Sequence, residues 1–139
     1  MIFEQHPDDP NWWVDSDCLF GDYESVELIV ETAGDTPCDE IISQLSGLAS
    51  NTHHYVIAAA ELILDNYSYE HFANLGIDRT LLVDETIDDV ANASKLESVL
   101  VTDAKKKNFE MSFAVPWDPH HSFDIQFKNE NAESCAVNG

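Results

Sequence analysis

Phe109-Glu110-Met111-Ser112-Phe113-Ala114-Val115-Pro116-Trp117-Asp118-Pro119-His120-His121-Ser122-Phe123-Asp124-Ile125-Gln126-Phe127 is the stretch whose reading decides the fold. Phe109, Met111, Phe113 and Val115 alternate with Glu110, Ser112 and Ala114. After the corner Phe123, Ile125 and Phe127 alternate with Asp124 and Gln126. A period of two marks strands with one dry and one wet face. Pro116 and Pro119 interrupt backbone pairing between them, because proline donates no hydrogen bond. The segment therefore predicts an antiparallel pair whose apolar face needs helices to cover it.

Further strands flank this pair. Trp12-Trp13-Val14 reads as a short strand, Phe20-Gly21 as a hairpin turn among Asp15, Asp17 and Asp22, and Val26, Leu28 and Val30 as a second alternating strand with Glu27 and Glu31 on its wet side. Val99 and Val101 mark another, and Glu133 to Val137 an edge strand after the Asn129-Glu130-Asn131 turn. Helices fill the interval. Thr36-Pro37-Cys38-Asp39 reads as a start signal, and Ile41, Ile42, Leu45, Leu48 and Ala49 follow at helical spacing. Thr52 opens a second helix with Val56, Ile57, Ala60, Ile63, Leu64 and Tyr67 on one side and Glu61 and Asp65 on the other. Ser68 and Thr86 cap two short helices, the first stopped by Gly76. The expected fold class is α+β: an antiparallel sheet of about five or six strands with a helical hairpin and one or two short helices packed on one face. Residues 1–11 read as a flexible lead-in and residues 12–139 as a single domain.

Charge is the compositional outlier. The chain holds 27 acids against six bases, a net of −21. Residues 1–78 carry 16 of the acids and no Lys or Arg, the first base being Arg79. Such a field repels nucleic acid and anionic membranes and draws in basic protein surfaces. No signal segment or membrane span is visible, so a cytoplasmic location is expected. Cys18, Cys38 and Cys135 are odd in number and lack paired spacing, as reduced thiols do. No cofactor is expected. The neighbouring histidines His53-His54 and His120-His121 diverge rather than converge, so no metal site is assigned, His120, His121 and Asp118 being its best members. Carboxylate pairs are too frequent to single out a general acid and base, no nucleophile or phosphate-loop motif occurs, and the chain is read as no enzyme. Lys105-Lys106-Lys107 reads as a solvated turn.

The corner Trp117-Asp118-Pro119-His120-His121-Ser122 resembles the C-terminal signature Trp-Asp-x-Glu-His-Gly of a bacterial family of uncharacterised domains, in which an alternating strand follows. Trp117, Asp118 and His121 match, whereas His120 stands in place of the Glu and Ser122 in place of the Gly. Members of that group occur among immunity proteins of toxin systems, including contact-dependent growth inhibition. The resemblance implies a structural corner, with Trp117 packed, Asp118 accepting backbone N–H bonds and His121 hydrogen-bonded beside them. It also implies an immunity protein that neutralises a cognate toxin domain, a basic nuclease being the fitting partner for an acidic inhibitor. The expected contacts are Trp12 or Trp13 as an aromatic anchor and the acids Asp15, Asp17, Asp22, Glu27, Glu31, Asp39, Glu40, Glu61 and Asp65. The alternatives are an acidic protein-binding or nucleic-acid-mimic domain, or a halophile-adapted domain with no toxin partner.

Overall fold

Phe109, Met111, Phe113 and Val115 are all buried, as are Phe123, Ile125 and Phe127, in a computed structural model that describes all 139 residues. They belong to β5 (Asn108–Val115) and β6 (Asp118–Lys128) of one seven-stranded sheet. The remaining strands are β1 (Glu4–Gln5), β2 (Trp12–Phe20), β3 (Tyr23–Glu31), β4 (Lys95–Asp103) and β7 (Asn131–Asn138), and their order across the sheet is their order along the chain. Between β3 and β4 lie α1 (Asp39–Ser50), α2 (Thr52–Leu64), α3 (Tyr69–Asn74), a 3₁₀ turn at Arg79–Leu81 and α4 (Ile87–Ala93).

The expectation of five or six antiparallel strands is corrected on two counts. The sheet has seven strands, and it is mixed: β3 and β4 run parallel, pairing Glu27 to Val30 with Ser98 to Val101. The helical segment causes this. A tight turn reverses the chain, but a crossover returns it to the end where it began, so the next strand must run parallel. The extra strand is β1, two residues of the lead-in that pair with Trp13 and Val14. β2 is also far longer than Trp12-Trp13-Val14, because a bulge between Asp15 and Cys18 lets Cys18 and Phe20 reach the core after three polar residues.

Helix starts follow local chemistry where a hydroxyl is free to accept. Ser68 Oγ accepts from the His71 N–H at 3.2 Å and Thr86 Oγ1 from the Asp89 N–H at 3.2 Å. Gly76 closes α3 at φ +85°. α1 departs from expectation: Cys38, not Thr36, occupies the capping position, and Pro37 is buried just ahead of it. Thr52 opens α2 with its side chain turned back, its Oγ1 donating to the Ala49 carbonyl at 2.6 Å.

The core is one cluster. Leu45, Leu48, Tyr55, Val56, Ala59, Ala60 and Ile63 of the helical hairpin and Val90 and Ala91 of α4 lie with the inward side chains of β2 to β6. All four helices come from one crossover and cover one face. The opposite face carries Val14, Ile29, Leu100 and Ser112 with several acids. No helix covers it. The β2–β3 turn is pressed against the hairpin of helices: Gly21, at φ +60°, sits so close to Thr52 that a methyl group there would stand 2.5 Å from its Oγ1.

At the corner Trp117 is 1% exposed and tilted against Tyr67, with ring centres 4.3 Å apart. Asp118 differs: its carboxylate meets His121 Nδ1 at 2.7 Å rather than a backbone N–H. Pairing with β5 lapses after Val115–Asp118 and resumes at Phe113–Phe123, so Ala114 alone faces the run Pro119 to Ser122. Pro119 enforces the lapse by lacking a donor.

Candidate functional site

The acids can be placed by register. Directly paired residues share a face, so Trp12 with Glu31, Val14 with Ile29, and Glu27 with Ser98 all lie on the helix-free face of the sheet. Glu4, opposite Val14, and Glu110 and Asp124, further across the same face, join them. Of the residues expected from sequence as contacts, this face collects Trp12, Glu27 and Glu31. Glu4, Glu110 and Asp124 share this face without having been anticipated there, because a linear reading does not give the order of the strands across the sheet.

The other expected contacts lie elsewhere. Trp13 pairs with Val30 and so points to the helix side, where its indole N–H is buried without a partner. Asp15 is on that side too, and its carboxylate accepts from the Ile2 and Asp17 N–H groups at 3.0 and 3.2 Å. Asp17 and Asp22 are exposed at the bulge and the hairpin tip. Asp39, Glu40, Glu61 and Asp65 are exposed on the helix layer. Asp39 and Glu40 sit in the first turn of α1, where the helix dipole favours them. Asp65 ends α2, where the dipole disfavours it. Two opposed acidic surfaces result, not one.

Little inside the protein neutralises these charges. Glu130 pairs with Lys107 at 3.2 Å and Asp118 meets the His121 ring at 2.7 Å, and the other 25 of the 27 acids have no basic side chain within ion-pairing distance. On the sheet face, partial burial and then the nearby Asp124 push the Glu110 carboxyl above its usual range. Asp124 Oδ1 is itself buried without a hydrogen-bond partner, while its Oδ2 accepts from the Asn138 amide.

A second feature is a cleft of about 280 Å³ between α1, the α1–α2 corner and the tips of the β4–β5 and β6–β7 hairpins. Leu45, Leu48, Val101 and Phe109 provide apolar walls; Gln44, Asn51, Tyr55, Lys107, Asn108 and Glu130 provide polar groups. The Tyr55 hydroxyl donates to Glu130 Oε1 at 3.2 Å, the same oxygen that Lys107 Nζ approaches. Burial, reinforced by that carboxylate, pushes the Tyr55 phenol up. Gln44 Oε1 is buried with no partner. The two hairpin tips are tied together, the Glu130 N–H donating to the Lys107 carbonyl at 3.2 Å and the Asn129 N–H to Asn108 Oδ1 at 3.0 Å. Sequence reasoning missed this cleft because Gln44, Tyr55, Lys107 and Glu130 share no spacing. The usable signal was the charged residues at both hairpin turns.

Asp118 and His121 meet at the corner, yet no third His, Cys, Asp or Glu converges on them. No helix is long and apolar enough to cross a membrane. A family model described as a domain of unknown function, DUF6985, matches residues 2–136. Neither a curated protein nor a solved structure matches the chain.

Proposed function

We propose that this chain, which belongs to the DUF6985 family of domains of unknown function, is a binding protein that captures a basic protein partner. The partner in this proposal is a cognate toxin domain, a nuclease, which the chain neutralises in the cytoplasm as an immunity protein. The observation that carries the reading is that 25 of 27 acids are left without an ion pair, so the net charge of −21 acts outward. A nuclease needs a positive cleft to hold phosphates. The same cleft is drawn to an acidic inhibitor, and the field speeds encounter and rejects neutral partners. Nucleic acid and anionic membranes are repelled by it.

The helix-free sheet face is the docking surface of this reading. It is broad, it holds Glu4, Glu27, Glu31, Glu110 and Asp124, and it offers half-buried Trp12 as an aromatic anchor. The test is co-expression with the polypeptide encoded immediately upstream, followed by association kinetics. Rescue from toxicity and a one-to-one complex are expected. Replacing Glu27 and Glu31 by Gln should slow association about tenfold and flatten its salt dependence, while Glu61→Gln with Asp65→Asn leaves both nearly unchanged. Absence of any toxicity to rescue, or an association rate indifferent to salt, refutes the reading.

A further inference from the structure

We propose that the cleft between α1 and the two hairpin tips binds a free α-amino acid with a mid-sized apolar side chain, held as its zwitterion.

The first observation is backbone geometry. The β6–β7 turn places Asn129 at φ +50° and Glu130 at φ +67°, a two-residue hairpin turn in which Asn-Gly is the favoured pair. Asn129 conforms; Glu130 stands where glycine would be easier. Lys107 closes the β4–β5 turn at φ +57°, again in the left-handed region that favours glycine. Both positions that favour glycine thus carry charges of opposite sign, and these meet at 3.2 Å at the cleft. The backbone preference of the turns does not select them.

The second observation is unfilled valence. Gln44 Oε1 lines the cleft, buried, with nothing to accept from. Beside it are one anion, one cation and a phenol hydroxyl over apolar walls. An α-ammonium group would donate to Glu130 and Gln44 Oε1, and the α-carboxylate would accept from Lys107 Nζ. Leu45, Leu48 and Phe109 would enclose the side chain. A volume of about 280 Å³ equals the liquid volume of about nine waters, which suits a ligand of the size of leucine or phenylalanine.

The global charge excludes the simpler ligands. A net −21 opposes an anion. A plain amine finds carboxylates all over the surface and gains little from this cleft. A zwitterion carries no net charge, so it escapes the repulsion and uses both members of the pair.

The experiment is a titration of the intact protein with L-leucine, L-methionine and L-phenylalanine to about 10 mM, followed by amide chemical shifts, since small ligands of this kind bind near 1 mM. Saturable shifts confined to Lys107, Asn108, Glu130 and their neighbours are expected with at least one of them. 3-Methylbutylamine and N-acetyl-leucine, each lacking one charge, should bind at least tenfold more weakly. Glu130→Gly and Lys107→Gly keep turns that glycine adopts freely, so both variants fold, and both should lose binding at least tenfold. No response to any of the three amino acids, equal binding of the amine, shifts located elsewhere, or undiminished binding by Glu130→Gly overturns the proposal.

Discussion

Gly21→Ala tests how the N-terminal hairpin is clamped to the helices. The added methyl meets Thr52 Oγ1 at 2.5 Å, Thr52 Cβ at 2.8 Å and the Ala49 carbonyl at 3.1 Å, and the backbone there holds φ +60°. Alanine in the left-handed region costs about 1 kcal/mol. Thr52 is 4% exposed, so it has no room to yield outward. Turning its side chain away forfeits the 2.6 Å hydroxyl bond to Ala49, about 1 kcal/mol, and still leaves the Cβ contact. Lifting the hairpin off the α1–α2 corner costs a similar amount in lost packing. The sum is about 3 kcal/mol, a large share of the ~5–15 kcal/mol that keeps a domain folded. Urea unfolding followed by circular dichroism measures it, with an unchanged slope as the check on two-state behaviour. Because Thr52→Gly removes both side-chain contacts, Gly21→Ala in that background should cost markedly less, the ~1 kcal/mol of backbone strain plus whatever the remaining 3.1 Å approach to the Ala49 carbonyl adds. Additive losses in the double-mutant cycle would show that the close approach is not what makes glycine necessary.

Two further outcomes are expected. Burial and the Asp124 charge raise the Glu110 pKa, so the folded state holds that proton more tightly than the unfolded state does. The associated stability is present below the ordinary carboxylate range and is lost as pH rises through the raised value. Glu110→Gln should therefore raise the melting temperature at pH 7 and match the parent below about pH 4, and a destabilised variant at pH 7 would contradict this. The second outcome concerns salt. With 25 acids unpaired, self-repulsion outweighs internal attraction, and the melting temperature should climb as NaCl rises from about 0.05 to 0.5 M; a fall would mean that attractive pairs dominate.

The sheet was legible where its period was unbroken. Phe109 to Val115 and Phe123 to Phe127 alternate without a fault, and each inward apolar member, from Phe109, Met111, Phe113 and Val115 to Phe123, Ile125 and Phe127, is buried. The short helices were legible through Ser68 and Thr86, whose hydroxyls accept from the third residue onward. β2 was not legible as a nine-residue strand, because Asp15, Ser16 and Asp17 mask the alternation and only the bulge restores it at Cys18. The parallel pairing of β3 with β4 has no local signature in Val26–Val30 or Val99–Val101; it follows from the length of what lies between them. The acidic face suffered similarly. Glu27 and Glu31 were singled out on their own strand, while Glu110 and Asp124 join them only once strand order is known. Lys107 looked like one of three solvated lysines, and its left-handed backbone and its contact with Glu130 are properties of two turns brought together.

The two halves of the sheet are separate runs of hairpins, residues 4–31 and 95–138, joined by one seam of four paired residues. That seam imposes a schedule on biosynthesis. After Val30 leaves the ribosome, about 70 more residues must follow before Val101 can lie beside it. At ~5–20 residues per second this is roughly 4–14 s. Throughout it β3 presents a bare edge, with Val26, Leu28 and Val30 awaiting a cover. Bare edges of this kind recruit other chains. The cover that emerges first in that interval is the helical hairpin, with α3 and α4 following it. Meanwhile the 16 acids of residues 1–78, with no Lys or Arg among them, hold one unfinished chain away from another. The lopsided charge thus adds a like-charge repulsion between unfinished chains, in the very interval when the edge of β3 is bare.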